Sequence, residues 1–127
     1  MSDDKARFAA GLKIRHEMFG RAGAEDRWER ATDFNRPLEE FVTRHCFGET
    51  WSRPGLDRRT RSMLTLAVLA ALVRPNQLRN HVRGALANGV TPAEIREVLM
   101  HTVDYAGIPA GVEAFTAAAE VLAQQSA

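Results

Sequence analysis

The stretch Asp57-Arg58-Arg59-Thr60-Arg61-Ser62-Met63-Leu64-Thr65-Leu66-Ala67-Val68-Leu69-Ala70-Ala71-Leu72-Val73 decides the fold. Asp57 is a favoured N-cap residue, and the body that follows contains neither glycine nor proline. Its residues are apolar on every side of a helical projection, the pattern of a helix surrounded by protein or lipid. The apolar run, Thr65 aside, covers only residues 63–73, well short of the roughly 20 residues that cross a bilayer. The reading is a buried helix in a protein with no membrane span.

The approach to that helix is Glu49-Thr50-Trp51-Ser52-Arg53-Pro54-Gly55-Leu56, so Arg53, Arg58, Arg59 and Arg61 gather around its N-terminus. Cations there oppose the helix dipole by ~0.3–1 kcal/mol each, so local stability does not choose them. Two readings stay open. Guanidinium forks and free first-turn N–H groups receive a carboxylate or phosphate, or the arginines pair with acids elsewhere in the chain or on a neighbouring subunit.

Composition narrows these choices. Seventeen basic against 16 acidic residues leave a net charge of +1, which argues against a nucleic-acid binder and makes any anion site local. All but two of the basic residues are arginines, so position carries more than number. A chain of 127 residues that is 45% hydrophobic has the size and core of one domain, residues 1–127. A single cysteine, Cys46, leaves no internal disulfide and no CxxC pair. Met1-Ser2-Asp3-Asp4-Lys5 carries no apolar signal region, and the expected location is cytoplasmic.

Working outward, Ser2 is placed to cap a first helix with Phe8, Leu12, Arg15 and Phe19 on one stripe and Gly20 near its end. A short helix surrounds Trp28 within residues 24–31. Asp33 or Asn35 then caps a helix over about 36–48, on which Leu38, Phe41, Val42, His45 and Glu49 share one arc committed to the interior. Pro75 opens a helix over about 76–88, ended by Gly89. Leu78, Val82, Ala85 and Leu86 mark its inner face, and His81 lies at the boundary of that face.

Thr91-Pro92-Ala93-Glu94 is a capping box with proline at the first helical position. The helix it opens buries Ile95, Val98, Leu99, Thr102, Val103 and Ala106, with Glu94, Glu97, His101, Asp104 and Tyr105 opposite. A last helix starts at Pro109 and runs through Val112, Phe115, Ala119 and Leu122 to a frayed end over 124–127. Strand patterns are absent, so the domain is all-α with six or seven helices.

The run from Gly48 to Ser62, with His81-Val82-Arg83, Gly89-Val90-Thr91-Pro92-Ala93-Glu94-Ile95 and Tyr105-Ala106-Gly107-Ile108-Pro109-Ala110, resembles the γ-carboxymuconolactone decarboxylases of protocatechuate catabolism. The wider superfamily includes alkylhydroperoxidase-D-like proteins, similar in their all-α bundle, which carry a CxxC pair followed by histidine. Aligning His81 on that histidine puts Arg74 and Gln77 at the cysteine positions. A thiol peroxidase then lacks its nucleophile and resolving partner, and Cys46 on another helix does not replace them.

The resemblance implies cofactor-free loss of a ring carboxylate from a butenolide that keeps a second carboxylate on an acetate arm. The lactone is its own electron sink, so neither metal nor organic cofactor is required. The protein has to clamp the retained carboxylate, stabilise the developing oxyanion and deliver one proton. On this reading Arg59 and Arg61 form the clamp, with Arg53 and Arg58 beside them and Trp51 as an apolar wall. His81 is the leading proton donor or oxyanion partner, titrating near neutrality. Glu49 orients His81 or an arginine, and His101 and Tyr105 reach a site at a subunit boundary.

The resemblance further implies a homo-oligomer, trimer or hexamer, with a carboxylated lactone as the small-molecule partner. Asp104 stands where an apolar residue is expected and Gly111 where alanine is, so a paralogue with another lactone or organic acid is the alternative. A non-enzymatic organic-acid-binding protein is the third class.

Overall fold

The computed structural model describes residues 2–126, and every helix in it follows from a local sequence signal or from packing. Seven α-helices are present among these residues: α1 (Ser2–Phe19), α2 (Glu25–Glu29), α3 (Arg36–Phe41), α4 (Arg58–Ala71), α5 (Pro75–Ala87), α6 (Pro92–Ala106) and α7 (Ile108–Ser126). A short 3-10 turn at Arg21–Gly23 follows α1, and a π-helix, Val42–Thr50, continues α3. No strand occurs among the described residues, and the all-α expectation holds. The helices form two compact units that divide between Leu56 and Asp57. The Trp51–Arg53 turn therefore belongs to the first unit and the arginine-led helix to the second.

In the first unit α1 lies along the π-helix, and Ile14, Met18, Phe47 and Trp51 form the buried cluster. The helix expected over 36–48 exists, but from Val42 it leaves the α register. The interior arc assigned to it holds only in part: Val42 packs against the core, but Leu38 and Phe41 are 60% and 50% exposed. Helical phase alone does not say which face of an amphipathic segment the rest of the chain covers. Asn35 sits at the N-cap of α3 without capping it. Its side-chain oxygen instead accepts the Thr32 N–H at 2.7 Å, closing the preceding loop. The side chain of Ser2, the expected first cap, and Ala127, the last of the expected frayed residues, lie outside what the structure describes.

In the second unit the local signals hold. Asp57 caps α4, accepting the Thr60 N–H at 2.7 Å, Pro75 opens α5, and both halves of the Thr91/Glu94 capping box are made. Helices α4 to α7 pack around Leu66, Leu78, Val82, Ile95, Leu99 and Val121, each at most 1% exposed. On α4 the inward stripe is Ser62, Leu66 and Ala70, and the opposite stripe, Leu64, Val68 and Leu72, is more than half exposed. Burial on every side, expected for this helix, is therefore not achieved by the chain itself. On α7 the inward stripe runs through Ala110, Ala114, Ala117, Ala118 and Val121, while Val112 and Ala119 face outward, a rotation from the expected phase. Ala106 on α6 is likewise exposed. No helix among the described residues is long and apolar enough to cross a membrane.

Candidate functional site

The first turn of α4 presents Arg58, Arg59 and Arg61, all partly buried. Arg59 takes the ion-pair reading: its Nη2 meets Oε2 of Glu94 on α6. The other carboxylate oxygen of Glu94 accepts the Thr91 N–H at 3.0 Å. One acid thus closes the capping box and anchors the arginine. Helical phase alone puts Glu94 on the outer face of α6, because phase does not show how far an arginine from another helix reaches.

His81 projects from α5, which packs on α4 within the same unit. It is partly buried, and burial pushes its imidazole down to about 4. The expectation of titration near neutrality is therefore corrected: desolvation disfavours the charged form, and the ring is neutral at pH 7. A neutral imidazole hydrogen-bonds a developing oxyanion without attracting the carboxylate that must leave.

Below the arginines, Ser62 is 1% exposed and its Oγ accepts a 3.0 Å hydrogen bond from Nδ2 of Asn88, tying α4 to the end of α5. Sequence reading missed this pair. The available signal was a serine in phase with Leu66 and Ala70 on the inward stripe, where a hydroxyl needs a partner. His101 and Tyr105 stand on the outer face of α6, as the sequence implied, with ring centroids 5.2 Å apart and Tyr105 83% exposed.

The first unit holds Glu49, Trp51 and Arg53. The Glu49 carboxylate is 3.7 Å from both Arg7 Nε and His45 Nδ1, so an arginine does partner it, one that sequence spacing did not single out. His45 stacks on Phe41 with centroids 5.0 Å apart. Trp51 is buried and stacks on Phe47, while Arg53 is exposed. Cys46 packs against this unit's core, and burial raises its thiol above the ordinary range, the opposite of what an attacking thiolate needs. No group of three or more His, Cys, Asp or Glu side chains among the described residues is arranged to hold a metal ion.

This constellation sits in a chain whose residues 36–120 match the carboxymuconolactone decarboxylase family. The chain belongs to that family. It is 44% identical over 119 residues to 4-carboxymuconolactone decarboxylase of Acinetobacter baylyi, covering 94% of this chain and 89% of that relative. It is 42% identical over 107 residues to a nitrosuccinic acid decarboxylase of Metarhizium robertsii, covering 84% of this chain and 75% of the relative. This member of the carboxymuconolactone decarboxylase family is an enzyme, a carboxy-lyase.

Proposed function

We propose that the enzyme decarboxylates 4-carboxymuconolactone to the 3-oxoadipate enol-lactone, in protocatechuate catabolism and without a cofactor. The observation that carries this reading is that one packed unit holds an arginine-led N-terminus on α4 and, on the helix α5 packed against it, a partly buried His81 kept neutral by burial. Identity to the named Acinetobacter baylyi enzyme over most of both chains supports it.

Arg59, Arg61 and Arg58 hold the acetate-arm carboxylate at the N-terminus of α4, where N–H groups and guanidinium forks add. The C–C bond to the ring carboxylate breaks, and CO₂ leaves. The electron pair moves through the ring double bond to the lactone carbonyl oxygen, giving a dienolate. His81 donates a hydrogen bond to that oxygen as its charge grows, and the growing anion raises the affinity of the imidazole for a proton. His81 takes up a proton from solvent as the anion forms and passes it to ring carbon, returning to its neutral form.

Exposed apolar stripes, Leu64, Val68 and Leu72 on α4 and Leu38 with Phe41 on α3, support a homo-oligomer, trimer or hexamer, in which His101 and Tyr105 reach substrate at a subunit boundary. A cytoplasmic location and a single domain over residues 1–127 belong to the same proposal.

A second reading rests on the relative named for nitrosuccinic acid. A nitro-substituted dicarboxylate offers the same logic, with the nitro group as electron sink. Loss of carboxymuconolactone absorbance and CO₂ release, measured with purified protein beside the same assay on nitrosuccinate, separate the two. Turnover of neither above background contradicts both.

A further inference from the structure

The end of α5 holds one side-chain amide against α4. Gly89, at φ 89°, takes the left-handed conformation that closes a helix with glycine just past its end. The Val90 N–H then bonds the Ala85 carbonyl at 2.9 Å, the Gly89 N–H bonds that of Leu86 at 3.1 Å, and Val90, 2% exposed, seats the turn in the core. Asn88 is the C-cap, its own N–H bonded to the carbonyls of Gly84 and Ala85. Its backbone is therefore fixed, and its side chain turns onto α4, where Nδ2 donates to Ser62 Oγ at 3.0 Å.

Ser62 is 1% exposed, on the inward stripe with Leu66 and Ala70. A hydroxyl buried there adds little to stability over an alanine, since its hydrogen bond mainly offsets its own desolvation. What a satisfied buried polar pair does supply is a unique arrangement of the elements it joins.

The pair lies one turn from the arginines. Arg58 and Arg59 stand four and three residues before Ser62, on the same side of α4. The tie from Arg59 to Glu94 comes from the same stretch of chain, since Asn88 and Glu94 bound the α5–α6 corner. One corner thus pins the start of α4 twice, and the two ties differ in kind. The Arg59 and Glu94 side chains are partly exposed, and such a pair is weak enough for a carboxylated substrate to displace Glu94. The Ser62 hydroxyl is shielded from any ligand. When Glu94 is displaced, the Asn88–Ser62 bond still holds the turn.

We propose that Asn88 is a positioning residue for Arg59: through Ser62 it keeps the first turns of α4 in the orientation from which Arg59 receives the substrate carboxylate once Glu94 has been displaced. This rests on the assignment of Arg59 to the carboxylate clamp. Asn88 acts through Ser62 and Arg59, not by contact with the substrate.

The test uses full-length Ser62→Ala, Asn88→Ala, Arg59→Ala and Glu94→Gln, with Ser62→Ala also combined with each of the last two. Steady-state decarboxylation of 4-carboxymuconolactone is measured below the melting temperature of each protein. Ser62→Ala deletes a single oxygen and keeps the experiment open where Asn88→Ala fails to fold. The expected result is a KM raised about 5-fold or more in Ser62→Ala and in Asn88→Ala, with kcat within about 2-fold of wild type. In the Arg59→Ala background Ser62→Ala raises KM by less than a further 2-fold. In the Glu94→Gln background, where the first tie is already gone, it raises KM at least as much as in wild type.

Wild-type KM in folded Ser62→Ala and Asn88→Ala, alongside a raised KM in Arg59→Ala, overturns the positioning role and leaves the clamp standing, whatever the melting temperatures. An unchanged KM in Arg59→Ala removes the clamp, and the positioning role with it, as does a wild-type protein that does not turn over the lactone. Fully additive losses in Ser62→Ala/Arg59→Ala show that Ser62 acts by another route. A smaller effect of Ser62→Ala in the Glu94→Gln background overturns the claim that this bond holds the turn after Glu94 leaves.

Discussion

Arg59 on α4 is held by Glu94, the same residue that completes the capping box of α6. The pair is partly exposed, with 41% and 35% of the two side chains accessible. Pairs of that kind contribute about 0.2–1 kcal/mol. A dianionic substrate therefore competes with Glu94 for Arg59 at little cost to the fold.

It follows that Arg59→Ala should raise KM by about 10-fold or more while shifting stability by no more than about 1 kcal/mol. Glu94→Gln keeps an oxygen for the Thr91 N–H but releases Arg59, and should lower KM by a few-fold. Steady-state kinetics on the lactone read both. An unchanged KM in each variant takes Arg59 out of the clamp.

His81 gives a pH signature. Its ordinary value of 6.5 is pushed down to about 4 in the folded chain, so between those values the unfolded state binds more protons. Its contribution to stability is complete above pH 6.5 and is lost progressively as pH falls toward about 4. His81→Asn should flatten this part of the denaturation profile. Acid sensitivity identical to wild type over that window means that the imidazole is not desolvated.

For the reaction, His81→Ala should lower kcat by about 100-fold or more, within the range of general acid–base and oxyanion contributions. The free enzyme should show no inflection of kcat/KM at pH 6.5 from this group. A clear break there would mean that the imidazole keeps its ordinary affinity for protons.

Gly48→Ala tests the close approach of α1 to the π-helix. The added methyl would stand 2.0 Å from a backbone oxygen, and backbone cannot swing aside as a flexible side chain can. A loss of more than about 2 kcal/mol in chemical denaturation is expected, typical of overpacking in a well-packed core. A near-neutral effect would show that the two helices stand farther apart.

Val73 carries φ of 55° just past the end of α4, a left-handed conformation disfavoured for a β-branched residue. Its side chain is 43% exposed, so little packing is at stake. Val73→Gly should raise stability by about 0.5–1 kcal/mol despite the greater freedom of glycine when unfolded. A lower Tm in this variant would contradict the strain.

The sequence made the second unit readable because its signals are local. Asp57, Pro75 and Thr91 with Glu94 act within one helical turn, and the structure uses each of them. The π register of 42–50 was hidden, since it depends on Gly11 and Gly48 letting two backbones meet, a tertiary fact. Leu38, Phe41, Leu64, Val68 and Leu72 read as core because hydrophobicity does not distinguish a face the chain covers from one it leaves open. Among candidate site residues, sequence chemistry drew attention to Arg59, His81 and Glu49. It did not supply Arg7 or Glu94 as their partners, because side-chain reach between helices has no period to read.

The central claim is turnover by the neutral imidazole and arginine site of the second unit. Its most direct test follows CO₂ release from 4-carboxymuconolactone by purified wild-type, His81→Ala and Arg59→Ala proteins under metal-chelated conditions. The account predicts rapid release by wild type, loss of kcat in His81→Ala and a raised KM in Arg59→Ala. Release by wild type no faster than the uncatalysed reaction would contradict the function, and near-normal kcat/KM in both variants would contradict the site.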